Sequence, residues 1–172
     1  MAEAQYDHCS NCGEEVTWDS DFCPHCGVIF EAAGGVKCDD HPERAAGGIC
    51  IICRKLVCNK CGVRKHGRTF CREHKEIEVQ QDWARIFQST DINDAELVKS
   101  VLQEAGYTVQ VQNFSSIGFI WEGGGDSSLS RSALSKPAKI FVPIPEYLNA
   151  SKVLQAWKDS NPVRDESDTD LP

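Results

Sequence analysis

The residues of this chain that could do chemistry are its cysteines and histidines, and they come in pairs. Between Cys38 and His74 four pairs follow one another: Cys38/His41, Cys50/Cys53, Cys58/Cys61 and Cys71/His74. Each leaves two residues between its members, the spacing at which both side chains of a tight turn reach one tetrahedral metal ion. Upstream, Cys9/Cys12 and Cys23/Cys26 repeat the spacing, and Gly13 and Gly27 follow directly. A glycine there can turn left-handed and aim backbone N–H groups at the sulfurs. Thiolate and imidazole are zinc donors, and twelve ligands make three complete four-donor sets, so three structural Zn²⁺ per chain are expected. That count uses all ten cysteines and leaves no thiol for a nucleophile. His8, His25 and His66 lie off the paired spacing and are read as non-ligands, His66 as a solvated residue of a basic loop.

Cys9, Cys12, Cys23 and Cys26 read as one site. For the other eight ligands spacing leaves two pairings open. A sequential reading joins the first pair with the second and the third with the fourth. A cross-braced reading joins the first with the third and the second with the fourth. Every loop involved is long enough for either.

The elements that must position these ligands are small. Glu15–Val16–Thr17–Trp18 and Phe22 suit a short hairpin laid over the first site, and the stretch 1–30 resembles a zinc ribbon. Residues 31–36, including Gly34 and Gly35, read as a linker. Residues 37–76, with the order C-x2-H, C-x2-C, C-x2-C, C-x2-H, His41-Pro42-Glu43-Arg44 and a short Cys53–Cys58 loop, resemble a B-box-type zinc finger in its compact prokaryotic form. That resemblance implies the cross-brace, with Cys38, His41, Cys58 and Cys61 on one zinc and Cys50, Cys53, Cys71 and His74 on the other. A RING ubiquitin ligase fits less well, because its histidines fall in the middle of the ligand order. Modules this small bury too little apolar surface to fold alone. Zinc is expected to supply the difference, roughly 10–16 kcal/mol per site by analogy with zinc-finger peptides.

Beyond His74 the pattern changes. Residues 77–82 read as a linker or short helix. Trp83–Ser89 alternates as a strand, Asn93 with Glu96 reads as a helix cap, and Leu97, Val98, Val101, Leu102 and Ala105 form one apolar helical face that Gly106 ends. Tyr107–Gln112 and Ala138–Val142 read as strands, and Pro145 opens a last helix carrying Tyr147, Leu148, Leu154 and Trp157. This describes a small α+β sheet with helices on one face. The segment Phe87-Gln88-Ser89-Thr90-Asp91, followed by Ala95-Glu96-Leu97-Val98 and Leu102-Gln103-Glu104-Ala105-Gly106-Tyr107, resembles the prokaryotic signal-transducing domain. That resemblance spans 83–158 and implies a ferredoxin-like fold akin to nitrogen-regulatory signal proteins, with no catalytic residue. The glycine-rich 115–136 stretch lacks the lysine of a phosphate-binding loop and is expected to be a mobile loop. A partner- or ligand-gripping loop, with Ile117, Phe119 and Trp121 as apolar contacts, is the second reading of that stretch. Residues 159–172 are expected to form a disordered acidic tail.

The 172 residues carry a net charge of −8, unevenly spread. Residues 1–35 hold seven acids and no Lys or Arg; residues 36–75 hold ten Lys/Arg and four acids. With two zincs of three thiolates and one imidazole each, that +6 becomes about +4, so the centre stays basic between acidic flanks. The polar start at Met1–Gln5 carries no signal-peptide pattern, and Ile49–Cys53 is far too short to span a bilayer. So many thiols suit a reducing cytoplasm.

Three functions compete. The favoured one is a non-enzymatic, zinc-binding interaction or regulatory adaptor whose zinc modules dock a protein partner while the α+β domain senses or relays. The second is nucleic-acid binding through Arg54, Lys55, Lys60, Arg64, Lys65, Arg68 and Arg72, which the acidic flanks oppose. Contact of these bases with the acidic flanks is preferred to contact with phosphate. The third, an enzyme, is least favoured, because closed zinc sites offer no open position. No membrane partner is expected.

Overall fold

The computed structural model describes residues 6–30, 35–113 and 136–161. They fall into two compact units, Met1–Glu78 and Val79–Pro172.

Among the described residues the first unit holds three antiparallel hairpins: β1 (Tyr6–His8) with β2 (Glu15–Thr17), β3 (Gly48–Ile49) with β4 (Leu56–Val57), and β5 (Gly62–Lys65) with β6 (Arg68–Cys71). The Cys9/Cys12 pair lies in the turn between β1 and β2, and Cys50/Cys53 in the turn between β3 and β4. His66 (φ 49°) and Gly67 (φ 75°) turn β5 into β6 with two successive left-handed residues, the conformation a two-residue hairpin loop needs. His66 is therefore a turn residue, exposed and away from the ligand sets. Isolated two-stranded hairpins are marginal in water. Here the buried side chains are mostly cysteines: Cys9, Cys23, Cys26, Cys38, Cys50, Cys58, Cys61 and Cys71, with Val16, Ile49, Ile51, Ile52, Val57 and Phe70 around them.

Within this unit the first two cysteine pairs are bonded to the two-site module. The Thr69 N–H donates to the Cys26 carbonyl at 2.9 Å, and the Ile49 N–H to the Gly27 carbonyl at 2.8 Å. A Cβ on Gly27 (φ 76°) would stand 2.0 Å from the Ile49 carbonyl oxygen, so only glycine permits this approach. The stretch read as a linker, 31–36, lies outside the described residues but for Gly35 and Val36.

The second unit holds a four-stranded antiparallel sheet in the order β7 (Val79–Gln80), β8 (Trp83–Ser89), β10 (Ala138–Pro143), β9 (Gln110–Gln112). Two helices, α1 (Ile92–Glu104) and α2 (Tyr147–Ser160), pack on it. Ala138, Ile140 and Val142, at every second position of β10, meet Ala95, Val98 and Leu102 of α1 and Ala150 and Leu154 of α2 in one core. A bulge in β8 opposite Ile140 and Phe141 breaks the alternation, and both Ile86 and Phe87 pack against that core.

Several expectations need correction here. Residues 79–80, inside the expected linker, pair with Ala84 and Trp83 as an edge strand, with Gln81 (φ 51°) in the turn. The cap of α1 is Asp91 and not Asn93: the Asp91 carboxylate accepts from the Asn93 N–H at 2.7 Å, and Glu96 pairs with Lys99. The buried face of α1 is Ala95, Val98 and Leu102, while Leu97 is 49% exposed and Ala105 is exposed. Only Gln110–Gln112 of the expected Tyr107–Gln112 strand is paired; Tyr107 and Val109 pack against the core. Pro145 sits in a 3-10 turn, Ile144–Glu146, ahead of α2, which runs to Ser160, two residues past the expected boundary. Leu148 is exposed, while Tyr147 and Trp157 flank the core that Leu154 enters. Gly106 (φ 87°) ends α1 as expected, its N–H donating to the Gln103 carbonyl. The 115–135 stretch and residues 162–172 lie outside the described residues. The chain is a small mixed α/β protein, and no helix among the described residues is long and apolar enough to cross a membrane.

Candidate metal centres

Each ligand pair is shaped by its own turn. In the first, the Gly13 N–H donates to the Cys9 carbonyl at 2.8 Å; in the second, the Gly27 N–H donates to the Cys23 carbonyl at 2.8 Å. Both glycines are left-handed, at φ 78° and 76°. The third cysteine turn uses Arg54 (φ 62°) in the same place, its N–H donating to the Cys50 carbonyl at 2.9 Å. A left-handed arginine is strained. Its side chain accounts for its presence, since the guanidinium donates to the Pro24 carbonyl at 3.1 Å and lies 5.7 Å from the Phe22 ring centre. That contact ties the β3–β4 turn to the Cys23/Cys26 turn.

The twelve donors gather into three groups of four. They are Cys9, Cys12, Cys23 and Cys26; Cys38, His41, Cys58 and Cys61; and Cys50, Cys53, Cys71 and His74, with the ligand atoms of each group within 4.8 Å of one another. In the two-site module the first pair therefore meets the third and the second meets the fourth. All three groups lie in the first unit.

The distances fit a metal and not disulfides. Every cysteine is unbridged. Sulfur–sulfur separations are 3.7 Å (Cys9–Cys26), 3.6 Å (Cys12–Cys23), 3.3 Å (Cys38–Cys61), 3.8 Å (Cys58–Cys61) and 3.8 Å (Cys53–Cys71). A tetrahedron with metal–sulfur bonds of about 2.3 Å has edges of about 3.8 Å. Both histidines turn Nδ1 inward. His41 Nδ1 lies 3.7 Å from Cys38 and 3.6 Å from Cys58, and His74 Nδ1 lies 3.1 Å from Cys71 and 3.8 Å from Cys50.

The thiols of each group differ in acidity. The Cys50 thiol is drawn down to about 4 by the hydrogen bond with Cys53, and the N–H groups of Cys53, Cys71 and Ile52 help it against burial. Cys53, the other end of that bond, moves up. Burial raises Cys9 and Cys38, yet hydrogen bonds outweigh it: N–H groups of Cys12 and Asn11 bring Cys9 to about 7, and the His41 and Cys61 side chains bring Cys38 to about 6. Burial pushes Cys23 and Cys61 up, Cys61 to about 11. In each group one thiol, Cys9, Cys38 or Cys50, is lowered, while Cys12, Cys23, Cys53, Cys61 and Cys71 are raised. A divalent cation at the centre would stabilise all of them together as thiolates.

His8 stays outside the sets, its Nδ1 lying 3.2 Å from the Gly13 carbonyl, and His25 is in none of them. The hairpin expected from Glu15–Trp18 and Phe22 is replaced by two other pairings: Glu15–Thr17 pairs with Tyr6–His8, and Phe22 bridges Ile29. Val16 is buried against Cys9, Cys23 and Cys26, but Trp18 lies beyond β2 and is 69% exposed. Sequence reasoning missed Thr69, a buried polar residue whose N–H reaches Cys26 and whose carbonyl accepts from Ile51 at 3.0 Å. No local signal marks it. Arg54 could have been noticed, since it stands where the first two turns carry glycine.

Most of the central bases are engaged within their own unit. Lys55 pairs with Asp40 at 2.7 Å and Lys65 with Glu76 at 3.2 Å. Arg44 donates to Asn59, Arg64 to Asn11 and Arg72 to the Lys60 carbonyl. No family model, no curated protein and no solved structure matches the chain.

Proposed function

We propose that this chain is a non-enzymatic adaptor whose first unit is built on three structural zinc ions, a zinc ribbon fused to a cross-braced, B-box-like module. Four closely spaced donors in each of three groups are the observation that carries it. Sets of four thiolates, or of three thiolates and an imidazole, suit zinc and leave it no position for substrate or activated water. Zinc here orders surface; it does no chemistry.

The second unit is read as a ferredoxin-like relay domain. The order β8–α1–β9–β10–α2, with β9 and β10 paired and β10 between β8 and β9, supports a split β-α-β arrangement. The site of action is cytoplasmic in this reading, where thiols stay reduced.

Nucleic-acid binding is the second reading. The bonds of Lys55, Lys65, Arg64 and Arg72 within the unit weigh against it, because those side chains would have to leave present partners to meet phosphates. Fluorescence anisotropy of the full zinc-loaded chain with labelled DNA and RNA at low salt tests the choice. Negligible binding is expected. Saturable binding at physiological salt, lost on Arg64→Glu/Lys65→Glu/Arg68→Glu, would favour the nucleic-acid reading. Affinity capture from a prokaryotic lysate with zinc-loaded and chelated chain should recover a protein with the loaded form alone.

A further inference from the structure

The first unit holds a cavity that the metal sites do not use. It measures about 590 Å³ and is lined by the β1–β2 hairpin and the segment after it, with Asp7, Trp18, Asp19, Asp21 and Phe30 among its walls. The turn that follows β2 shapes it. The Ser20 N–H donates to the Thr17 carbonyl at 3.0 Å, which sets Trp18 and Asp19 at the tip of the turn. The Phe30 N–H donates to the Asp21 carbonyl at 2.9 Å, which brings Phe30 to the far wall.

Two independent features mark this cavity. Its aromatic wall is left in water: Trp18 is 69% exposed, and Phe30 is exposed as well. Its lining carries three aspartates and one histidine, His8, but no Lys or Arg. Asp19 and Asp21 have no ion-pair partner among the described residues, and one oxygen of Asp7 accepts from the His8 N–H. Residues 1–35 contain no Lys or Arg that could neutralise them. An indole face beside carboxylates is the arrangement that attracts an organic cation.

We propose that this cavity receives an arginine or lysine side chain from a basic segment of the protein partner, laid on the Trp18 indole and balanced by Asp7, Asp19 and Asp21. The assignment rests on the adaptor reading and names the chemistry of what the adaptor holds. A second copy of this chain fits less well, because Lys55, Lys65, Arg64 and Arg72 of its two-site module already have partners within their own unit.

The test uses the full zinc-loaded chain and a short fluorescent peptide alternating arginine with serine, against the same peptide carrying uncharged citrulline in place of arginine. Metal content is checked for every variant. The arginine peptide should bind saturably, and the citrulline peptide, Trp18→Ala and Asp19→Asn/Asp21→Asn should each weaken binding by about tenfold or more, while Trp18→Phe keeps most of it. Should Trp18→Ala lose zinc, the aspartate pair and the citrulline peptide still decide. Equal binding of both peptides overturns the proposal, as does loss in the aspartate variant without loss in a folded Trp18→Ala, which would leave only diffuse attraction. Self-association of the chain that Asp19→Asn/Asp21→Asn abolishes would give the cavity to a second copy and also overturn it. If none of these changes affects zinc-dependent capture of a partner, the adaptor reading stands and the cavity assignment falls.

Discussion

The two units bury different things. In the second, Ala95, Val98, Leu102, Ala138, Ile140, Val142, Ala150 and Leu154 form a continuous apolar core between helices and sheet. In the first, eight of the buried residues are cysteines of the three four-donor groups, and the longest strands among the described residues have four residues. Hydrophobic burial holds one unit together, and in the adaptor reading metal at three four-donor groups holds the other. The same chain thus contains a unit that should ignore metal and a unit that should not exist without it.

The largest break of this contrast is chelation. Stripping metal should unfold Met1–Glu78 and leave a fragment from Ile77 to Asn161 folded, as followed by circular dichroism on each. Structure lost from the second fragment on chelation would show that the contrast is false. Cys58→Ser should act nearly as strongly, removing a donor from the second centre and with it much of the roughly 10–16 kcal/mol that a structural zinc supplies. The measured result should be loss of at least one bound metal and of the β3–β6 signals in the NMR spectrum; a variant that keeps full metal content would contradict the grouping.

Smaller changes sharpen the contrast inside each unit. Leu102→Ala should lower the stability of the second unit by about 2–5 kcal/mol, because the residue is fully buried. Leu97→Ala should stay within about 0.5 kcal/mol, since that side chain is largely in water. Urea unfolding of the two variants side by side tests which face of α1 is inside. In the first unit, Gly27→Ala and Gly13→Ala share the strain of a left-handed alanine, about 1–2 kcal/mol. Only at Gly27 does the new Cβ also meet a carbonyl oxygen, whereas nothing lies within 4 Å of one at Gly13. Gly27→Ala should therefore weaken the first unit by about 1–3 kcal/mol more than Gly13→Ala. Equal effects would mean that the close approach to Ile49 contributes nothing.

What could be read from the sequence was what is local. A two-residue gap between ligands is a property of one turn, so all twelve donors were visible as pairs. The second unit's strands at 83–89 and 138–142 and the stop at Gly106 were visible for the same reason. Which pairs meet depends on contacts between turns, and spacing left that open. The bonds from Thr69 to Cys26 and from Ile49 to Gly27 join residues far apart in the chain, and no periodicity announces them. Val79–Gln80 is too short a strand to show alternation. Asp91 and Asn93 are both good capping residues, and the Glu96 spacing favoured the wrong one; the carboxylate that meets the Asn93 N–H decides. Trp18 was expected to cover a metal site, but the turn closed by Ser20 carries it outward.

The central claim is that three closed centres build the first unit. Native mass spectrometry of the folded full-length chain, with the metal identified by elemental analysis, tests it most directly. The account predicts three zinc ions per chain, with no intact fold at lower loading of the first unit. One or two ions in a chain whose first unit is fully folded would contradict it.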